Sequence, residues 1–308
     1  MLFTVTHYYH SGFSVACGDT LLVFDYWTGE EGELTEDIQL RPEQIRSFAN
    51  VVIFISHEHV DHLDPIVYTW KDLTNTVYIV SSDMPVGTRG KRMAPGDTFE
   101  PVPDVRVTAY DSTDLGVSYL VEFRGVTFFH AGDLNFWHWR EESTMQEIEE
   151  ADQEFRKAVQ PLSGQDIDVA FFPVDPRQGA MFEAGANYFI LTVKPRVLIP
   201  MHYFHRGDVA MEYARTASDR TTEVIAMPLY GQVLTVEEDE EGYLNIDFPP
   251  LTDADAPGGE DGGEGAADAR GNGADPTDVL LDENDPFAES DLPVALSDEE
   301  ENGDAGPL

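Results

Sequence analysis

The hexapeptide His57-Glu58-His59-Val60-Asp61-His62, directly behind the apolar run Val51 to Ile55, constrains this chain more than any other feature. A short apolar run bounded by polar residues reads as a buried strand. Where the chain is still extended beyond it, side chains alternate with a period of two, so His57 and His59 point the same way and can grip one ion. Asp61 and His62 fall past the bend, where the chain turns toward Asp64-Pro65, and can hold a second. The whole chain has nine His, and three in one such window answer a chemical need, because clustered neutral imidazoles are costly to bury without a cation. Imidazole and carboxylate donors suit Zn²⁺ best and admit Fe or Mn. The lone cysteine, Cys17, excludes a thiolate cluster and an intrachain disulfide and reads as a small buried thiol.

Two further strand ends supply donors. His130-Ala131-Gly132-Asp133 follows an expected strand, Thr127 to Phe129, and a carboxylate beside glycine there is placed to bridge two cations. Pro200-Met201-His202 follows Val197 to Ile199 and delivers one imidazole to the same kind of edge. The expected ligands are therefore His57, His59, Asp61, His62, Asp133 and His202, holding one or two Zn²⁺ ions. Water shared by two such ions becomes a metal-bound hydroxide near neutral pH, a nucleophile for esters, lactones, amides and phosphodiesters.

The rest of the pattern predicts the frame around these residues. Leu2 to Tyr8 and Thr20 to Phe24 flank Cys17-Gly18-Asp19 and read as a hairpin. Further strands are expected at Thr76 to Val80, Val105 to Ala109, Val117 to Phe123, Val169 to Phe172, Glu223 to Met227 and Val233 to Val236. Asp64 and Pro65 cap a helix running toward Lys71. Thr144 and Glu147 form a capping box for a helix that turns Met145, Ile148, Phe155 and Val159 roughly to one face. Two more helices are expected at Glu183 to Val193 and Asp208 to Ala217. Strands with helices late in each half predict two packed sheets with helices outside.

Charge divides the chain. Of the formal net charge of −41, −17 falls on 251–308, where eighteen acidic residues face only Arg270 among Gly, Ala, Pro, Asn and Ser. Such a segment buries too little apolar surface to offset the cost of ordering, so a domain at 1–250 and a disordered acidic tail at 251–308 are expected. The remaining −24 repels phosphate backbones and anionic bilayers, which argues against nucleic acid and membrane as partners and leaves a small-molecule substrate. No Lys or Arg precedes Arg41 and no apolar stretch approaches membrane-spanning length, so a cytoplasmic location is expected.

In this order, His57-x-His59-x-Asp61-His62, Gly132-Asp133 and Pro200-Met201-His202 resemble the metallo-β-lactamase fold hydrolases over most of 1–250. His10-Ser11-Gly12-Phe13, Phe24-Asp25 and His130-Ala131-Gly132-Asp133 are similar to the branch holding L-ascorbate 6-phosphate lactonase and the N-acylphosphatidylethanolamine-hydrolysing phospholipase D. The resemblance implies an α/β (α+β) four-layer αββα sandwich with a dinuclear site between the sheet edges. It also implies that Asp61 ligates the second ion, orients the nucleophile and shuttles its proton. One family ligand is missing: no His occurs from Leu63 to Phe129, and Asp114 or Asp111 is the candidate oxygen donor in its place. Candidate substrate contacts are His10, the Trp137 of Phe136-Trp137-His138-Trp139, and Arg177. The reading is a metal-dependent hydrolase of a small ester, lactone or phosphodiester; the competing one is a catalytically silent metal-binding module that works through its acidic tail. Removing 251–308 is expected to leave turnover unchanged in a kinetic assay; a large loss would show that the tail contributes to the site.

Overall fold

Every position from Val51 to Ile55 is apolar because both faces of that strand are covered. Val52 and Phe54, with Leu22 and Phe24 of the neighbouring strand, face a core shared by two sheets. Val51, Ile53 and Ile55, with Leu21 and Val23, face an outer core closed by Ile45, Val67 and Trp70. The computed structural model describes residues 1–30, 32–217, 221–239 and 242–249. The acidic segment 251–308 and the boundary at residue 250 lie outside the described residues.

Among the described residues, the first sheet has eight strands in the order Leu244–Asp247, Val233–Glu238, Leu2–His7, Phe13–Cys17, Thr20–Phe24, Asn50–Ile55, Asn75–Ser81 and Lys91–Met93. Its pairs are antiparallel as far as Thr20–Phe24 and parallel beyond it, with Phe24 opposite Phe54 and Phe54 opposite Ile79. The second has seven: Glu223–Val224, Val197–Met201, Val169–Pro173, Val126–His130, Ser118–Phe123, Val105–Tyr110 and Thr98–Phe99. Here the first four run parallel and the rest antiparallel. Helices Met145–Val159, Ala184–Val193 and Gly207–Ala217 bury Phe155, Phe189 and Tyr213 against the second sheet's outer face. Two sheets with cover on both outer faces make the expected four layers. The carboxyl ends of the parallel strands from both sheets come together, and ligand sites form at such ends because loops there are free to carry polar groups.

Several local expectations give way to tertiary context. The expected first hairpin is a three-strand meander, because Phe13–Cys17 inserts between its two arms. Ser14 and Ala16 break that strand's apolar pattern and hide it from sequence reading. A tight turn precedes it, with Tyr8 N–H donating to Gly12 O at 2.8 Å and Gly12 N–H to Tyr9 O at 2.7 Å. The helix expected toward Lys71 is a 3₁₀ segment, Pro65–Trp70. Tyr78 donates its hydroxyl to Val67 O at 2.7 Å and Thr76 donates to Trp70 O at 3.0 Å, taking carbonyls an α-helix would use. The capping box forms as expected, but Met145 stands exposed. Ten residues before Phe155, it is rotated about 80° away from the buried stripe. Phe128 is fully buried against Phe3, with ring centroids 5.6 Å apart. Phe128→Ala is expected to cost about 3–5 kcal/mol, read as a lower urea midpoint at unchanged slope.

Candidate metal centre

Strand ends deliver the site. Asp25 follows Thr20–Phe24, Ser56 and His57 follow Asn50–Ile55, Asp133 follows Val126–His130, Asp175 follows Val169–Pro173, and His202 follows Val197–Met201. His10 comes from the turn between Leu2–His7 and Phe13–Cys17. Among the described residues, these side chains form two groups whose donor atoms lie within 4.8 Å of one another: His57, His59 and Asp133, and His10, Asp61, His62 and His202.

Asp133 joins them. Its Oδ2 lies 3.2 Å from His57 Nε2 and 3.8 Å from His59 Nδ1, while its Oδ1 lies 3.0 Å from His62 Nε2 and 3.1 Å from His202 Nε2. Proton bookkeeping shows what these nitrogens offer. His62 donates Nδ1–H to Asp25 Oδ2 at 2.8 Å, and His202 donates Nδ1–H to Asp175 Oδ2 at 3.0 Å, so each neutral ring presents a bare Nε2 lone pair to the site. Ser56 spends its one hydroxyl proton on Asp25 Oδ2 at 2.6 Å and must accept from His57 Nδ1 at 2.8 Å. His57 Nε2 is therefore also bare. His62 Nε2 and His202 Nε2 stand 3.3 Å apart with Asp133 Oδ1 beside both, three lone pairs converging with no hydrogen among them. That arrangement requires a positive charge at its centre, and the donor set fits a divalent ion.

Titration gives the same picture. Burial works against charge on His62 and His202, but the Asp133 carboxylate, helped by Asp25 at His62 and by Asp175 at His202, more than offsets it and lifts both above the ordinary histidine value. Burial likewise opposes charge on Asp133, and the two imidazoles hold its carboxyl well below the usual range. His10 goes the other way: burial, then repulsion from His202, pushes it down to about 3, so its ring stays neutral.

The backbone around the site is forced. His10, Asp25 and His202 have φ of 55°, 38° and 67°, left-handed values that cost non-glycine residues on the order of 1–3 kcal/mol each and collect at functional sites. Glycine is required where loops clamp Ser56-His57: a Cβ on Gly116 would lie 2.0 Å from Ser56 O, and one on Gly132 2.8 Å from Ser56 Cβ. His130 ties two of the site's loops together. It donates Nε2–H to Ser11 O at 2.8 Å and accepts the Gly132 N–H at 3.2 Å, linking the His10 turn to the Asp133 loop.

The structure separates the remaining candidates. Asp114 and Asp111 are exposed on their loop and outside both donor groups; Asp114 acts on His59 through space, secondary to Asp133 in raising that imidazole. The Phe136–Trp139 stretch divides by side. Phe136 packs on Phe155 in the core, whereas Trp137 lies 5.5 Å from the His202 ring and donates its indole N–H to Asp133 O at 2.8 Å. Arg177 pairs with Asp175 through Nε and Nη2 and lies over the Phe204 ring at 4.6 Å. With Tyr9, Trp27, Glu30, Glu33 and Phe204 it lines a cleft of about 530 Å³. His7 turns away into the core, donating Nδ1–H to Met227 O at 2.9 Å. Asp25, Ser56 and Asp175, which hydrogen-bond the site's imidazoles or one another, were not assigned a place in the site from the sequence. Their signal was a carboxylate or hydroxyl within two residues of the end of an apolar run.

No family model matches the chain. Two relatives described as UPF0173 metal-dependent hydrolases are similar to it. The one from Thermococcus onnurineus is 24% identical over 245 residues, and the one from Pyrococcus furiosus 27% identical over 247; each match covers 73% of this chain and 96% of the relative. Among solved structures, Igni18, a novel metallo hydrolase from Ignicoccus hospitalis, superposes with a TM-score of 0.57 at 18% identity, covering 77% of this chain and 99% of that one. The metallo-β-lactamase fold protein YhfI from Bacillus subtilis gives a TM-score of 0.50 at 15% identity, covering 75% and 98%.

Asp25 sets the tautomer of His62 directly and of His57 through Ser56, so Asp25→Asn should weaken Zn²⁺ binding about 10- to 100-fold in a calorimetric titration while leaving the far-ultraviolet circular dichroism unchanged.

Proposed function

Starting from the metallo-β-lactamase fold that the chain shares with these structures, we propose that it is a metal-dependent hydrolase acting on a small ester, lactone or phosphodiester, with Zn²⁺ as the resident ion. One observation carries the reading: the two oxygens of Asp133 face two separate sets of imidazoles. His57, His59 and Asp133 would hold one ion; Asp61, His62, His202 and the other oxygen of Asp133 would hold a second. Divalent ions so held supply an acidified water and polarise a substrate oxygen.

The chain's own groups do the rest. Asp25 and Asp175 keep His62 and His202 in the tautomer that presents Nε2. Burial opposes charge on Asp61, but contact with His10 and its neighbours keeps the carboxyl below its usual range, so it is ionised and can accept a hydrogen bond from a water that it orients. Its side chain is 19% exposed, enough for water to reach it. Trp137 and Phe204 offer an apolar wall, and Arg177, half exposed, can bind an anionic group of the substrate. The net charge of the chain favours a small substrate over a nucleic acid. The lactone and phosphodiester choices rest on the sequence resemblance to the ascorbate-phosphate lactonase and phospholipase D branch.

Chelation is expected to abolish hydrolysis of bis-p-nitrophenyl phosphate and simple lactones, and added Zn²⁺ to restore it. His59→Ala and Asp133→Ala should each lower turnover at least about 100-fold with the fold retained. Full activity in either variant overturns the site, and two bound ions without turnover on any of these substrates would favour the silent metal-binding module.

A further inference from the structure

His10 is fully buried, yet neither of its ring nitrogens has a hydrogen-bond partner. Its position is built rather than incidental. The left-handed backbone at φ 55° is held on both sides: His202 N–H donates to His10 O at 3.1 Å, and His130 donates to the next carbonyl, Ser11 O, at 2.8 Å. The ring lies between His202 and Phe204, at centroid distances of 3.9 and 4.0 Å, and its Nε2 is 3.3 Å from Asp61 Oδ2 without the geometry of a hydrogen bond. Neighbouring donors about 2.0–2.1 Å from one four- or five-coordinate ion stand about 2.9–3.6 Å from one another. The separations of His10 Nε2 from Asp61 Oδ2 and of His62 Nε2 from His202 Nε2 fall within that range.

The other donor group is poorer. It has two imidazoles and Asp133 Oδ2, His59 is 43% exposed, and the carboxylates of the 111–116 loop stay outside it. Fewer donors, one of them on a solvated side chain that must be ordered on binding, give a weaker and more open position.

We propose that His10 is a metal ligand and that the two metal positions are therefore unequal. The inner one, formed by His10, Asp61, His62, His202 and Asp133 Oδ1, fills first and is retained. The outer one, formed by His57, His59 and Asp133 Oδ2, fills last, exchanges readily and keeps room for substrate. The proposal rests on the hydrolase reading for the presence of ions and on no particular substrate.

Calorimetric titration of the chelator-treated full chain with Zn²⁺ should show two events of unequal affinity. His10→Asn, which tolerates the left-handed backbone, should weaken the tighter event at least about tenfold and alter the absorption of the first equivalent of bound Co²⁺. His59→Asn should place its larger loss on the weaker event. X-ray absorption of the wild-type chain with one equivalent of Zn²⁺ should report three imidazoles, a result independent of any variant's folding. Two equal events, two imidazoles on the first ion, or unchanged affinities in His10→Asn would overturn the proposal. Unequal binding of two ions without hydrolysis would sink the hydrolase reading alone.

Discussion

The buried carboxylate of Asp25 is the interaction on which the site depends. It accepts Ser56 N–H at 2.8 Å, the Ser56 hydroxyl at 2.6 Å and His62 Nδ1–H at 2.8 Å. A buried charge is stable only when it is fully bonded, and three donors at such distances meet that demand. The contacts follow from the sheet: Phe24 and Phe54 are direct partners in parallel strands, so the residues after them emerge side by side. Through Ser56 and His62, one carboxylate sets an imidazole in each donor group. A change at residue 25 is therefore felt in both donor groups.

Asp175 does for His202 on the second sheet what Asp25 does for His62 on the first, and Arg177 braces Asp175 from the cleft side. Burial opposes charge on Asp175, but His202 and Arg177 hold its carboxyl down at about 2. The outcome is that His57, His62 and His202 each commit one ring nitrogen to a hydroxyl or a carboxylate and turn the other toward Asp133. Orientation that is fixed before binding does not have to be bought from the binding energy. The chain's excess of negative charge adds a long-range term that concentrates cations near the site and opposes polyanions.

Much of this was legible in the residues. The window His57 to His62 announced itself because apolar strands end abruptly there and imidazoles cluster, and Asp133 and His202 stood out for the same reason at their own strand ends. Where reading stopped is equally physical. His10 is separated from His202 by most of the chain, so nothing local marks it as a neighbour, and its ring is brought in by the turn and two backbone hydrogen bonds. Asp114 was favoured as an oxygen donor because it lies in the right segment, yet its loop holds it in solvent, where only its field reaches His59.

Alternation and apolar continuity are local properties of a chain, and they set which segments become strands and which polar residues sit at their ends. Two packed sheets and the divided donor types follow from those properties, because buried runs must be covered and imidazoles must meet a cation. Which nitrogen of each ring faces the site, which oxygen of Asp133 serves which group, and that His10 completes one of them are decided by contacts between residues far apart in the chain. Those depend on strand order and register, quantities that no single segment contains.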